Sequence, residues 1–167
     1  MAMEMIGVEK VTLNIGTGAP GEKLEKARAL LEKLAQQKPV ETHSRKRIPT
    51  WNLKKGMSIG TKVTLRGKKA AELVNKCLDA VDHRLKPSSF DGQGNFAFGV
   101  REYIDVPGFK YDPAIGIYGF DVCVTLKKWG YRIAKRKRKQ TGIPKRHFIS
   151  KEEAIEFAKK NFKVEVE

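Results

Sequence analysis

Residues 10–16 read KVTLNIG, and the alternation in this short stretch decides the fold class. Val11, Leu13 and Ile15 fall on one side of an extended chain and Lys10, Thr12 and Asn14 on the other, because successive side chains of a strand point to opposite faces. The same two-residue period recurs downstream. Lys62, Thr64 and Arg66 oppose Val63 and Leu65, Phe96, Phe98 and Val100 alternate with Asn95, Ala97 and Gly99, and Phe120, Val122, Val124 and Leu126 alternate with Asp121, Cys123 and Thr125. Strands with one dry and one wet face belong to an open, largely antiparallel sheet covered on one side, since parallel sheets buried on both faces read as continuous apolar runs.

The cover comes from helices. Pro20 to about Gln37 places Leu24, Ala27, Leu31 and Leu34 on one stripe, and Lys68 to about Leu85 does the same with Ala71, Val74, Leu78 and Val81. A third helix is expected from Ser150, which has capping-box spacing to Glu153 ahead of Ala154, Ile155, Ala158 and Phe162. The pattern predicts an α+β fold: an antiparallel-dominated open sheet, helices packed on one face, the other face left uncovered, and a basic C-terminal arm and helix. One domain is expected over 1–129, with the arm and C-terminal helix of 130–167 packed on it. Residues 106–119, VPGFKYDPAIGIYG, read as a long ordered loop.

Charge narrows the function. The 167-residue chain carries +15, from 34 Lys and Arg against 19 Asp and Glu. Nine cations and no acid lie between Thr42 and Ala71, and eleven cations and no acid between Val122 and Lys151, so the remainder of the chain is mildly acidic. Segregated positive charge costs self-repulsion unless a polyanion neutralises it, whereas lysines kept for solubility mix with acids. No apolar run approaches the roughly 20 residues that cross a bilayer, and the N-terminus MAMEMIGVEK carries acids where a secretory signal carries bases. A cytoplasmic protein without membrane partners is expected.

Gly16, Gly18 and Gly21 form a literal GxGxxG between a strand and a helix, with Glu41 further on, the pattern of a dinucleotide site. The first strand alternates where it should be apolar throughout, the candidate second strand PVETHS (39–44) is too polar to lie between helix layers, and Pro20 sits inside the turn. A nucleotide-dependent enzyme on this turn is therefore the rival reading, and a glycine-rich connection the favoured one. His43, His83 and His147 are far apart in sequence and suggest neither a metal site nor a nucleophile pair. Asp79 and Asp82 read as a solvated helical pair, and Cys77 and Cys123 as buried free thiols. No cofactor or metal is expected.

Two segments concentrate the cations. SRKRIPTWNLKKGMS (44–58) joins two strands and sets Arg45, Lys46, Arg47, Lys54 and Lys55 around Trp51 and Asn52, a composition suited to gripping phosphates and stacking on a base. Trp51 either stacks on RNA or packs on the core. RIAKRKRKQTGIPKR (132–146) carries Arg132, five consecutive cations Lys135, Arg136, Lys137, Arg138 and Lys139, and then Lys145 and Arg146. With Phe148 and a capped helix after it, it reads as an arm fixed at both ends that orders against a polyanion. A general nucleic-acid packaging protein would share this charge.

Five blocks go beyond composition: KVTLNIGTG (10–18), QKPVET (37–42), IGTKVTLRG (59–67), FDGQGNFAFGV (90–100) and YDPAIGIYGFDVCVTL (111–126). In this order they resemble the signature blocks of the large-subunit ribosomal protein five family. The resemblance implies a non-enzymatic constituent of the central protuberance that binds 5S ribosomal RNA and large-subunit ribosomal RNA and contacts a neighbouring protein on the small-subunit head. It further implies that the exposed sheet face docks on 5S RNA through an Asn, a Gln and a Thr, which match Asn14, Gln37 and Thr64 here. Thr12 and the phosphate-binding cations Lys10, Lys62 and Arg66 would surround them. The family's loop toward P-site transfer RNA matches 44–58. The segment after Trp129 is similar to the archaeal and eukaryotic branch.

Overall fold

The structure is a computed structural model that describes residues 4–166. Its main sheet has five strands: β1 (Ile6–Gly16), β2 (Val40–His43), β3 (Ser58–Leu65), β5 (Asn95–Val100) and β6 (Phe120–Lys128), in the order β2-β3-β1-β6-β5. Every neighbouring pair is antiparallel. A second sheet pairs β4 (Arg84–Leu85) with β7 (Glu165–Val166) in parallel. Helices α1 (Glu22–Ala35) and α2 (Lys68–Asp79) cover one face of the main sheet, a short α3 (Arg132–Lys135) opens the arm, and α4 (Lys151–Phe162) follows it.

The predicted alternation is the observed burial. Val11, Leu13 and Ile15, then Val63 and Leu65, Phe96, Phe98 and Val100, and Phe120, Val122, Val124 and Leu126 all face the helices and are buried. They meet Leu24, Ala27, Leu30, Leu31 and Leu34 of α1 and Leu73, Val74, Cys77 and Leu78 of α2 in one continuous core, to which α4 adds Ala154, Ala158 and Phe162. Burying such aliphatic side chains contributes roughly 1.5–3 kcal/mol each, which is what binds helices to sheet. The α4 cap is the expected capping box: Ser150 Oγ accepts from Glu153 N and the Glu153 carboxylate accepts from Ser150 N.

Several expectations need correction. Helix α1 starts at Glu22, two residues after Pro20. Helix α2 ends at Asp79 and not near Leu85, and it buries Ala70 where Ala71 was expected; Asp82 and His83 adopt φ of 52° and 56°, left-handed values that stop a helix. The stop is stabilised from far away. His83 Nδ1 hydrogen-bonds Phe162 O at 2.8 Å, its Nε2 meets Asp79 Oδ1 at 2.8 Å, and Glu165 N donates to His83 O at 2.8 Å. Asp79 is thus engaged and Asp82 lies outside the helix. Continuing the helix to 85 would forfeit these contacts and the β4–β7 pairing.

The loop over 106–119 is ordered, as expected. Val106 and Ile115 are buried, Tyr103 Oη accepts from Asp112 N at 2.8 Å, and the Asp112 carboxylate pairs with Lys33 of α1.

Candidate RNA-binding face

The face of the main sheet away from α1 and α2 carries the other half of each alternation. Thr64 pairs with Thr12, Thr12 with Cys123, and Cys123 with Ala97, so four strands contribute to one row. The next row runs Val40, Lys62, Asn14, Asp121 and Gly99, and a third runs Lys10, Thr125 and Asn95. Directly paired antiparallel residues share a face with side chains about 5 Å apart. The structure thereby brings Lys10, Thr12, Asn14, Lys62 and Thr64 onto one surface. Arg66 lies just beyond the end of β3, and Gln37 lies in the exposed turn between α1 and β2, at the sheet edge. Among the described residues the side chains of Thr12, Asn14 and Thr64 have no protein hydrogen-bond partner, and none of them is a buried unsatisfied group, so their polar atoms face solvent.

A bulge tunes this surface. The β1–β6 register slips between Val8 and Lys10, and the extra residue is Glu9. Glu9 is largely covered; its carboxylate pairs with Lys135 of α3 and lies 3.9 Å from Arg66. Burial pushes the Glu9 carboxyl upward, but the hydrogen bond from Lys135, with Lys10 and Lys127 nearby, outweighs it and holds the group below its ordinary value. Alternation alone could not flag Glu9, since a bulge depends on the partner strand.

The 44–58 segment is an ordered hairpin. Ile48 and Leu53 exchange backbone hydrogen bonds of 2.9 and 3.0 Å around a 3-10 turn at Pro49–Trp51, and Asn52 closes it with a left-handed φ of 53°. Leu53 is the residue that packs inward. Trp51 stands at the tip, 70% exposed, which excludes the core-packing option, and Arg45, Lys46, Arg47, Lys54 and Lys55 are exposed around it.

The arm is clasped at its neck. Tyr131 Oη donates to His147 O at 3.2 Å and His147 Nε2 donates to Trp129 O at 2.8 Å. Lys128 Nζ, with its side chain only 7% exposed, donates to both Glu153 oxygens at 2.8 and 2.7 Å and to Phe148 O at 3.3 Å. Within the arm Arg136 Nε donates to Lys139 O and Gln140 Nε2 to Ala134 O. Among the described residues only Lys135 of the five consecutive cations has an acidic partner, so Arg136, Lys137, Arg138 and Lys139 project as exposed charge, as do Arg132, Lys145 and Arg146.

The rival chemistry finds no footing. The amides of Thr17 and Gly18, which a dinucleotide turn would offer to phosphates, both donate to Ile59 O at 3.0 Å, and β1 and β2 are separated by antiparallel β3. His43 Nδ1 does lie 3.1 Å from Ser58 Oγ, an encounter the sequence did not suggest, but that hydroxyl donates to Glu41 at 2.8 Å and is not free to donate to the imidazole. Cys77 is buried, with burial pushing its thiol up to about 12; Cys123, expected to be buried as well, is exposed on the uncovered face. The alternation of β6 would have placed Cys123 there, with Asp121 and Thr125.

Comparison with known proteins bears on the whole chain. Residues 2–54 match the family model described as Ribosomal protein L5, and residues 58–160 match the model for the C-terminus of the same ribosomal family. The chain is 53% identical over 165 residues to the protein named large ribosomal subunit protein uL5 of Sulfurisphaera tokodaii, covering 98% of this chain and 93% of that one. Proteins of the same name from Nanoarchaeum equitans and Methanosphaera stadtmanae are 47% and 46% identical, covering 98% and 96% of this chain and 97% and 95% of theirs.

Proposed function

The chain belongs to the ribosomal protein L5 family, and from that premise we propose that its uncovered sheet face binds 5S ribosomal RNA in the large subunit. The family is a structural, non-enzymatic part of the ribosome, which sets this protein's role and its cytoplasmic place. The observation that carries the finer reading is the pairing of Thr12 with Thr64 and of Asn14 with Lys62 on the face away from α1 and α2. Uncharged hydrogen-bonding groups flanked by cations suit RNA better than a uniformly basic surface: neutral groups meet ribose and base edges while Lys10, Lys62 and Arg66 meet phosphates. Gln37 extends the same surface from its edge.

In this reading the Trp51 hairpin, with its five cations, reaches P-site transfer RNA, and the arm from Arg132 to Arg146 engages large-subunit ribosomal RNA. A neighbouring protein on the small-subunit head completes the partners. In the same reading residues 1–129 form the L5-like α+β domain, and 130–167 are a basic arm and C-terminal helix packed on that domain. The deciding experiment is a competition: labelled 5S RNA bound to the protein is challenged with unlabelled 5S RNA or bulk transfer RNA. Displacement by 5S RNA at far lower concentration supports the reading. Equal displacement by both would point instead to a non-specific nucleic-acid packaging protein.

A further inference from the structure

We propose that the groove between the β5–β6 end of the uncovered face and the neck of the arm holds one unpaired RNA nucleotide, its base stacked on Phe148. The proposal rests on the RNA-binding reading above and adds a subsite to it. The groove is an open one with a volume of about 560 Å³, and its lining includes Lys10, Asn95, Cys123, Thr125, Tyr131 and Phe148.

Three observations make this a site for a base. The first is the state of Phe148. It is 42% exposed, yet its backbone is held from both sides, by Lys128 Nζ on its carbonyl and by its own amide donating to Lys145 O at 3.1 Å. Tyr131 packs against the ring in a T-shaped arrangement with centroids 6.3 Å apart, so the ring is braced on one side while it stays partly open to a stacking partner. The second is the floor, where small side chains make room: Ala97 and Cys123 are paired across β5 and β6, and Asn95 is paired with Thr125. The Thr125 hydroxyl and the Asn95 amide oxygen have no protein partner among the described residues; Asn95 Nδ2 already donates to Asp91 at 2.6 Å. An acceptor and a two-way hydroxyl beside a stacking face are what reading a base edge requires.

The third is charge. Lys10 stands in the groove and also in the row beside Thr125, so the groove is continuous with the face proposed for RNA. Arg132 and the arm cations follow directly after Tyr131, where the flanking phosphates would run. The nearby Asp91 is already bonded to Gln93 N and Asn95 N, at 2.9 and 2.7 Å, and offers a base amino group an acceptor but a phosphate only repulsion. A bare polyanion site would not place it there.

The test is ultraviolet cross-linking of the protein bound to 5S and large-subunit ribosomal RNA, followed by mass spectrometry of peptide–nucleotide adducts, together with affinities of Phe148→Ala and Phe148→Tyr. The proposal expects adducts on the peptides carrying Cys123, Tyr131 or Phe148, a drop of about 5- to 150-fold in affinity for Phe148→Ala, and near wild-type binding for Phe148→Tyr, which keeps the ring. Adducts on β1 and β3 without any in the groove, or unchanged affinity of Phe148→Ala, would overturn the subsite and leave the RNA-binding face standing. Absence of adducts on either surface would overturn both.

Discussion

Lys128 offers the sharpest test of how the arm is held. Replacing it with Met keeps a buried apolar stem of similar length and removes the ammonium that donates to both Glu153 oxygens and to Phe148 O. Hydrogen bonds to charged groups contribute about 1.5–3 kcal/mol where both partners are dry. Glu153 is 42% exposed and regains water when the partner goes, so its share is heavily screened. The Phe148 carbonyl loses a donor in a part-buried setting. The net cost is about 2 kcal/mol, below the 3–5 kcal/mol of a fully buried broken pair. It should fall on the neck of the arm, because Lys128 is the last residue of β6 and the partners of its ammonium lie in the arm and α4. Urea unfolding at pH 7 gives the magnitude, and hydrogen exchange gives the location as faster exchange across residues 129–150. The pair also predicts a pH window. The Lys128 hydrogen bond holds the Glu153 carboxyl below its ordinary 4.5, outweighing the opposing effect of burial. A depressed carboxyl stabilises the fold above its unfolded value and loses that contribution as the pH falls through its folded value. The difference between wild type and Lys128→Met should therefore be full at pH 7 and shrink below about pH 4.5. An unchanged urea midpoint at pH 7 with unchanged exchange at the neck would refute the clamp.

Other outcomes follow from the same geometry. Asn14→Ala or Thr64→Ala should weaken 5S RNA binding by about 1–3 kcal/mol in filter binding while circular dichroism stays unchanged, because a polar partner on the RNA is left unpaired. Neutralising Arg45, Lys46, Arg47, Lys54 and Lys55 together should flatten the logarithmic salt dependence of RNA binding by about 0.7–0.9 for each phosphate no longer neutralised; an unaltered slope removes the hairpin from the interface. Gly60→Ala puts a methyl group 2.7 Å from Ile15 O and 2.9 Å from Thr42 Oγ1, between two flanking strands, and should lower stability by about 1–3 kcal/mol in thermal unfolding. A thiol reagent at mild alkaline pH should titrate Cys123 in the native protein and Cys77 only after unfolding.

Most of the fold is legible in the order of residues because its carrier is local. A two-residue period states which side of a strand is dry whatever lies across from it, and KVTLNIG, FAFGV and FDVCVTL each state it without ambiguity. The capping box at Ser150 and the segregation of cations are local in the same sense, and five ordered blocks are enough to recognise the family. The early end of α2 is not legible. It depends on His83 meeting Phe162, 79 residues away, and on β7 pairing with β4, energies no window of neighbouring residues contains.

The proposed binding surface divides along the same line. Asn14, Thr64 and Lys62 could be assigned to one face from alternation, but their assembly into rows with Asp121, Cys123 and Thr125 needed the strand order, which the sequence does not state. The exposure of Trp51 was settled by a hairpin that turns Leu53 inward in its place. Glu9 was settled by a one-residue slip against β6, and Phe148 by the grip of Lys128 on its carbonyl. The sequence by itself thus determined the faces, the charge distribution and the family, since these are properties of the chain read in order. Register, bulge and the groove beside Phe148 were decided only by tertiary structure, because each arises where segments distant in sequence compete for the same hydrogen bonds and the same space.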